Sequence, residues 1–247
     1  MKTTHQILFF VVLFAFGCTS TSTQSEQAVA EEMLPDTVAA VCVWDNISVR
    51  SIPSSDGKWL TSISVGEAIK YLSIDSVEAS KKKRVYSKVL LADGKVGWAL
   101  KDFIVPNGKV AVFLAENVIY KRPDLLTKSD KSFDYMNIVA IKSSQDGWLE
   151  VVGRRGEDDW IMTGWVKDNN LSQDPIDVAV AKFGGKALAQ KDEAKKVEMI
   201  NEILNNADFS SSKFIPVLEN LLDEVTEEPA MEEPAEPAEL ETNAEES

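Results

Sequence analysis

The chain has 247 residues, of which 44% are hydrophobic, a proportion typical of a globular protein. Its formal net charge is −14, but the region from Asp223 to Ser247 carries 11 acidic and no basic residues, which leaves about −3 for the first 222. The acidity therefore belongs mainly to a tail. With no basic excess to contact phosphates, nucleic acid is excluded as an expected partner.

The N-terminus has the pattern of a secretory signal. Lys2 lies in a short polar start, and ten consecutive apolar residues, Ile7–Phe16, follow it. A membrane-spanning helix needs about 20 apolar residues, so this run instead suits the core of a signal peptide.

The end of that run, Ala15-Phe16-Gly17-Cys18, resembles the lipobox of bacterial lipoproteins. The resemblance implies removal of residues 1–17, lipidation of Cys18 and attachment to a bacterial envelope membrane, facing the periplasm or the cell surface. The alternative is ordinary cleavage near Gly17, with Cys18 an incidental thiol. Residues 18–37 lack apolar periodicity and predict a flexible tether.

From Val38 onward, short apolar runs alternate with turns. The run VAAVCVW is typical of a buried strand, and we expect its Cys42 to be a buried, unpaired thiol. Asp93-Gly94 favours a tight hairpin turn, because both residues tolerate positive φ. Roughly five short strands without a helical run predict a small β-barrel over residues 38–106.

The same order of features returns over residues 109–172. Gly97-Trp98 is matched by Gly164-Trp165, and each pair is followed closely by Lys-Asp. Pro53 precedes Trp98 by 45 residues, and Pro123 precedes Trp165 by 42. The two segments are therefore predicted to be copies of one unit, in which the glycine allows close backbone approach and the tryptophan is buried.

These residues resemble the bacterial SH3-like (SH3b) family. The matching positions in the first copy are Val49-Arg50, Pro53, Gly66, Tyr86, Asp93-Gly94 and Gly97-Trp98. Those in the degenerate second copy are Pro123, Trp148 and Gly164-Trp165. The resemblance covers roughly residues 38–171. It implies tandem small SH3-like β-barrels that recognise peptide or cell-wall ligands.

Helical patterns follow the second copy. Asp174-Pro175 predicts a capped helix start, and the stretches 186–207 and 210–225 are amphipathic. We expect a helical hairpin within residues 174–225 that packs on the second barrel; a partner-binding groove is the alternative. Residues 226–247 repeat Pro, Ala and Glu and predict a disordered acidic tail.

Few residues are suited to catalysis. The single histidine, His5, lies in the predicted signal peptide, which excludes a Cys-His peptidase, a Ser-His-Asp triad and a histidine zinc site. We expect Asp158-Asp159 to form a solvated turn rather than an acid–base pair. No phosphate-binding or calcium-binding loop pattern occurs. The sequence therefore predicts that the chain is not an enzyme and uses no metal or cofactor.

Two groups of side chains are candidates for binding. The basic stretch Lys81, Lys82, Lys83 and Arg84 can meet anionic wall polymer or lipid headgroups, or form a solvated loop. Trp59 and Trp160 adjoin turns and can line a peptide or glycan groove, or cap barrel ends.

Taken with the lipobox, these features predict a mainly β, envelope-anchored lipoprotein that binds peptide or peptidoglycan. The alternative is a structural or adaptor lipoprotein that holds an envelope protein.

Overall fold

The computed structural model describes residues 36–80, 82–156 and 159–227. Every element named below lies within one compact unit, which begins at Pro35. A chain that begins at residue 19 therefore retains all of them. The predicted lipidation site Cys18, nearly all of the predicted tether and the predicted tail beyond residue 227 lie outside the described residues.

The first half of the described chain forms one antiparallel sheet of seven strands. Its strands are β1 (Val38–Cys42), β2 (Ile47–Arg50), β3 (Trp59–Ile63), β4 (Ala68–Val77), β5 (Val85–Leu90), β6 (Val96–Leu100) and β7 (Ile104–Pro106). They are ordered β3-β2-β6-β5-β4-β1-β7 across the sheet.

A second seven-stranded antiparallel sheet follows directly. Its strands are β8 (Lys109–Phe113), β9 (Asn117–Tyr120), β10 (Lys128–Phe133), β11 (Ile138–Gln145), β12 (Trp148–Gly153), β13 (Met162–Lys167) and β14 (Leu171–Ser172). Their order, β10-β9-β13-β12-β11-β8-β14, repeats that of the first sheet strand for strand. The predicted fold class, tandem small β-barrels followed by helices, is confirmed.

Each sheet has seven strands where the sequence suggested about five. In the first sheet, β7 is one of the strands that the sequence did not predict. It follows the short 3₁₀ turn Lys101–Phe103 and pairs with β1. In the second sheet β14 pairs with β8 in the same way. These closing strands are only three and two residues long, too short to give a periodic pattern of their own.

Each sheet encloses its own apolar core. Val49, Ile63 and Val89 are fully buried in the first core, and Phe113 stacks on Phe133 in the second, with ring centroids 5.1 Å apart. Alternate residues of each strand point inward, as the pleat requires. A smaller cluster joins the two sheets and consists of Val41, Val43, Val105, Ala140 and Val152.

Cys42 is fully buried, as predicted, and lies in the first core. Burial raises the pKa of its thiol to about 12. The thiol donates a hydrogen bond to the Trp44 carbonyl at 3.1 Å. The thiolate form is therefore strongly disfavoured in the folded chain.

The glycine of each Gly-Trp pair lies where two strands approach most closely. A Cβ at Gly97 would overlap the Val49 side chain and lie 2.9 Å from the Arg50 carbonyl oxygen. A Cβ at Gly164 would overlap Ile119, the residue that matches Val49 in the second sheet. Both copies therefore need glycine at this position.

The prediction that the tryptophans of these pairs are core residues is wrong. Trp98 and Trp165 are half-buried, and the inward positions belong to Ala99 and Val166. The glycine faces inward in each pair, so the pleat directs the next residue to the opposite face. On that outer face Trp98 lies opposite Arg50, and Trp165 opposite Tyr120.

Three helices complete the described chain: α1 (Pro175–Leu188), α2 (Glu193–Leu204) and α3 (Ile215–Glu227). They share an apolar cluster with Val112, Met136 and Ile138 of the second barrel. The expected packing of the helices on the second barrel is thus observed. None of the helices in the described ranges combines the length and apolar character needed to cross a bilayer.

The helix bounds differ from those expected. The start at Pro175 agrees, and the Asp174 carboxylate accepts a hydrogen bond from the Ile176 amide at 2.9 Å. However, α1 continues through Gly184-Gly185, and Gly184 packs against Met136, whose sulfur would lie 3.1 Å from an added Cβ. The expected helix 186–207 is consequently interrupted, and α2 begins only after Asp192, which caps it.

One buried carboxylate joins the second barrel to the helices. Asp177 of α1 is 1% exposed and accepts hydrogen bonds from the Ser172 hydroxyl at 2.5 Å, the Ser212 hydroxyl at 2.8 Å and the Lys213 amide at 2.8 Å. Burial alone would raise the pKa of this carboxyl, but the hydrogen bonds from Ser172, Lys213 and Ser212 hold it below its ordinary value. The carboxylate thus stays charged and links β14, α1 and the segment before α3.

We expect Gly164→Ala to lower the free energy of unfolding by about 1–3 kcal/mol, because the new methyl group overlaps Ile119. Urea denaturation of the chain 19–247 measures the loss. Gly185→Ala is the control, since its Cβ would meet nothing within 4 Å and alanine favours a helix. Equal stability of Gly164→Ala and the parent chain would contradict the close approach of β13 to β9.

Candidate functional site

A cleft lies where the two barrels and helix α1 meet. It has a volume of about 310 Å³. Its walls come from the β1–β2 loop, the β10–β11 turn, the β12–β13 loop and α1, which are distant in sequence. The polar residues of the cleft are Asp45, Asn137, Arg154, Arg155, Lys182 and Lys186.

The first barrel and α1 are held together at one edge of the cleft by an ion pair. The Lys186 ammonium lies 3.0 Å from the Asp45 carboxylate, whose other oxygen accepts a hydrogen bond from the Val65 amide at 3.3 Å. Burial opposes ionisation of Asp45, but Lys186 lowers the pKa of this carboxyl below its ordinary value. The edge is therefore charged and ordered at neutral pH.

An aromatic cluster adjoins the cleft. Trp44, which lines it, lies with its ring centroid 5.3 Å from that of Phe103 and 5.2 Å from that of Trp160. Phe103 is buried beneath the other two, whereas Trp160 is 64% exposed. The cluster thus has a packed base and an open face that can accept an apolar ligand surface.

The β12–β13 loop brings two arginines to this cluster. The Arg154 guanidinium lies 4.2 Å from the centroid of the Trp44 ring, and its Nε donates to the Asp159 carbonyl at 2.9 Å. Arg155 forms an ion pair with the Asp159 carboxylate at 2.9 Å. Both guanidinium groups thus have a hydrogen-bond or ion-pair partner within their own loop.

Cations outnumber carboxylates in the cleft. Arg154, Arg155, Lys182 and Lys186 line it, and Asp45 is the sole carboxylate among its described lining residues. Lys182 has no ion-pair partner among the described residues. Arginine and lysine donate charge-assisted hydrogen bonds to carboxylates and phosphates. The arrangement is suited to a ligand that has both an anionic group and an apolar face.

The predicted tryptophans lie in different places. Trp160 belongs to the cluster beside the cleft, as described above. Trp59, which is 57% exposed, lies on the edge strand β3, and its Nε1 donates to the Ser62 hydroxyl at 3.2 Å. It does not line the cleft.

The predicted basic stretch lies in the β4–β5 connection. Lys81 is outside the described residues, and Lys82 and Lys83 are exposed. Arg84 is half-buried and lines a separate cavity of about 190 Å³ together with Arg50 and Tyr86. Of the paired carboxylates, Asp158 lies outside the described residues.

Sequence reasoning missed most of the cleft. Arg154 and Arg155 occur in the long RRGEDDW hairpin, whose unusual length was the available signal. Lys182 and Lys186 are four residues apart on α1 and so share a face of the helix, but nothing local connects them with Trp44. The described ranges contain no group of three or more His, Cys, Asp or Glu side chains that could hold a metal ion.

The Glu78 carboxylate organises the loops of the first barrel. It accepts hydrogen bonds from the Ser55 amide at 2.6 Å, the Ser55 hydroxyl at 2.8 Å, the Ser80 hydroxyl at 2.7 Å and the Ser54 hydroxyl at 3.2 Å. These bonds, that of the Ser55 amide above all, lower the pKa of Glu78 to about 2. The loop before Trp59 and the loop that carries Lys82 are thereby tied to one charge.

Known proteins give few matches. No protein-family model matches the chain, and no curated protein matches it. Among solved structures, NlpC1 from Trichomonas vaginalis is 15% identical, with 71% of this chain and 55% of that chain covered and a TM-score of 0.24. NlpC2 from the same organism is 12% identical, with 68% and 56% covered and a TM-score of 0.24. The chain thus spans about half the length of these two proteins.

A third matching structure is a novel NlpC/P60 endopeptidase from Photobacterium damselae subsp. piscicida. It is 14% identical, with 59% of this chain and 37% of that chain covered and a TM-score of 0.26. The prediction that the chain is not an enzyme is contradicted by this match to an endopeptidase, and we withdraw it. At TM-scores of 0.24 to 0.26, the matches assign no activity in its place.

We expect Glu78→Gln to lower the thermal midpoint at pH 7. Because folding lowers the pKa of Glu78, its carboxylate contributes full stability above the ordinary pKa of 4.5, and this is lost as the pH falls towards 2. The difference from the parent chain should therefore shrink between pH 4.5 and 2 in thermal melts. Asp56→Asn, on the same loop, is the control. A difference that stays constant with pH would contradict the assignment.

Proposed function

We propose that the chain is a lipid-anchored protein of the bacterial envelope whose barrels bind a peptide or peptidoglycan ligand in the cleft. One observation carries this proposal: four cations and an aromatic cluster with an open face converge where both barrels meet α1. The peptides of the cell wall carry carboxylates, and the sugars of the cell wall present apolar ring faces. The cleft offers a partner for each.

The size of the cleft limits the ligand. Small-molecule sites have volumes of roughly 300–1,000 Å³, and this cleft, at about 310 Å³, is at the lower end of that range. A short peptide segment or one sugar unit with an attached carboxylate fits such a volume. A longer polymer would have to extend beyond the cleft, past the exposed ring of Trp160.

The sequence supports the same class of protein. The Gly-Trp repeat and its flanking residues resemble SH3b modules, and the two sheets share one strand order. A resemblance to a wall- and peptide-binding module agrees with a cleft built for an anionic ligand. The lipobox-like sequence at Cys18 supports attachment to an envelope membrane.

A second candidate function is that of an adaptor, and a groove on the helices favours it. The groove has a volume of about 230 Å³ and is lined by Phe183, Met199, Ile203 and Phe209 among others. Phe183 is exposed, and its ring centroid lies 5.8 Å from that of Phe209. Such an apolar face suits an envelope protein partner.

We expect the chain 19–247 to sediment with purified peptidoglycan sacculi. Trp160→Ala and Lys182→Gln should each weaken binding by about tenfold, which corresponds to about 1.4 kcal/mol. Trp59→Ala and Lys191→Gln are matched controls, because Trp59 is comparably exposed and Lys191 follows the end of the same helix, both outside the cleft. If only the control substitutions weakened binding, the cleft would be rejected as the binding site. No binding by the parent chain would favour the adaptor function.

Cys18→Ser should release the full-length protein from the membrane fraction, because the substitution removes the sulfur that would carry the lipid. Fractionation of cells that express the parent and the variant measures this. Cys42→Ser is the control for loss of a thiol. Retention of Cys18→Ser in the membrane fraction would contradict the anchor.

A further inference from the structure

Two adjacent, highly exposed leucines lie on the β9–β10 connection, residues 121–127. Leu126 is 93% exposed and its neighbour Leu125 is 62% exposed. Contact of these two leucine side chains with water is unfavourable. An adjacent pair at a loop tip also differs from single exposed apolar residues on a strand. The connection therefore has the character of a contact surface.

The turn holds these leucines outward. Residues Leu125–Thr127 form a 3₁₀ turn, and the Asp124 carboxylate accepts a hydrogen bond from the Leu126 amide at 3.0 Å. The Thr127 hydroxyl donates to the Asp124 carbonyl at 2.8 Å and accepts from the Arg122 amide at 3.1 Å. The Lys121 amide donates to the Thr127 carbonyl at 3.0 Å. A turn fixed in this way cannot easily fold its leucines back onto the barrel.

Basic side chains surround the leucines. Lys121, Arg122 and Lys128, together with Leu126 and Thr127, line a cavity of about 450 Å³. All three cations are exposed, as is Lys131 on the adjoining strand. None of the four forms an ion pair with a described residue. The carboxylates of the segment are Asp124, which caps the turn, and Asp130, so cations are in excess.

The first barrel provides a comparison within the same molecule. In the matching connection, Ser51 and Ile52 take the places of Lys121 and Arg122, as the shared register of β2 and β9 and the two prolines, Pro53 and Pro123, show. That connection is tied down by the buried Glu78 carboxylate. The exposed leucine pair with its basic surround is therefore particular to the second copy and is not a requirement of the fold.

We propose that the β9–β10 connection is a membrane-contacting loop that binds anionic bilayers. Leucine side chains at a tip enter the boundary between headgroups and acyl chains, while lysine and arginine remain at the level of the lipid phosphates. The charge complementarity between the four cations and anionic headgroups selects this occupant. This surface is separate from the cleft and does not depend on the ligand proposed for it.

The test is binding of the chain 19–247, which lacks Cys18, to vesicles. Vesicles of phosphatidylcholine and phosphatidylglycerol in equal parts are compared with vesicles of phosphatidylcholine alone by co-sedimentation. We expect the parent chain to bind the anionic vesicles. Binding should be about tenfold weaker, or more, for the double variant Leu125→Ser/Leu126→Ser and for the triple variant Lys121→Gln/Arg122→Gln/Lys128→Gln. Val77→Ser/Val96→Ser replaces two exposed apolar residues of the first barrel and should bind as the parent does.

A spectroscopic measurement locates the contact. In the chain 19–247 the remaining native thiol, Cys42, is buried, so a polarity-sensitive fluorophore can be attached selectively to Leu126→Cys. Its emission should shift to the blue with anionic vesicles, whereas a fluorophore at Val77→Cys should not respond. Equal binding by the leucine variant and the parent, or no shift at position 126, would overturn the proposal. The proposal would also be overturned if free glycerol phosphate abolished binding while the leucine substitutions left it unchanged. That result would indicate a simple anion site.

Discussion

The buried Asp177 carboxylate is the constraint on which the arrangement of barrels and helices depends. A charge that is 1% exposed is tolerated only with its hydrogen bonds complete, and its donors come from the last strand of the second barrel and from the segment before α3. Helix α1 is thereby fixed in rotation as well as position. That rotation directs Lys182 and Lys186 towards the cleft and Gly184 towards Met136.

The duplication explains how a site can arise between two similar units. Both sheets have the same strand order, yet each contributes different groups to the cleft: the first its β1–β2 loop with Trp44 and Asp45, the second its β12–β13 loop with Arg154 and Arg155. The helices cover the second sheet and reach the first mainly through Val65 and Lys186. The two units share their strand order and the glycine of close approach but differ in their loops, so they form unequal walls of the cleft.

Much of the fold could be predicted because its signals are local. Gly97 and Gly164 mark the same close approach in each copy, and Asp174-Pro175 marks the start of α1. The half-burial of Trp98 and Trp165 could not be predicted, because it depends on which face of the strand their glycines occupy. The cleft could not be predicted from the sequence for a related reason. Trp44, Arg154 and Lys182 come from three distant segments, and no spacing in the sequence records their meeting.

The burial of Cys42 has a practical consequence for its reaction with disulfides and thiol reagents. A thiol whose pKa is raised to about 12 and which is closed within the first core exchanges with disulfides only after that core opens. The second barrel contains no cysteine. The rate at which a thiol reagent modifies the chain 19–247 thus reports openings of the first barrel and gives no information about the second. Comparison of that rate with the rate of global unfolding would show whether the first barrel opens on its own.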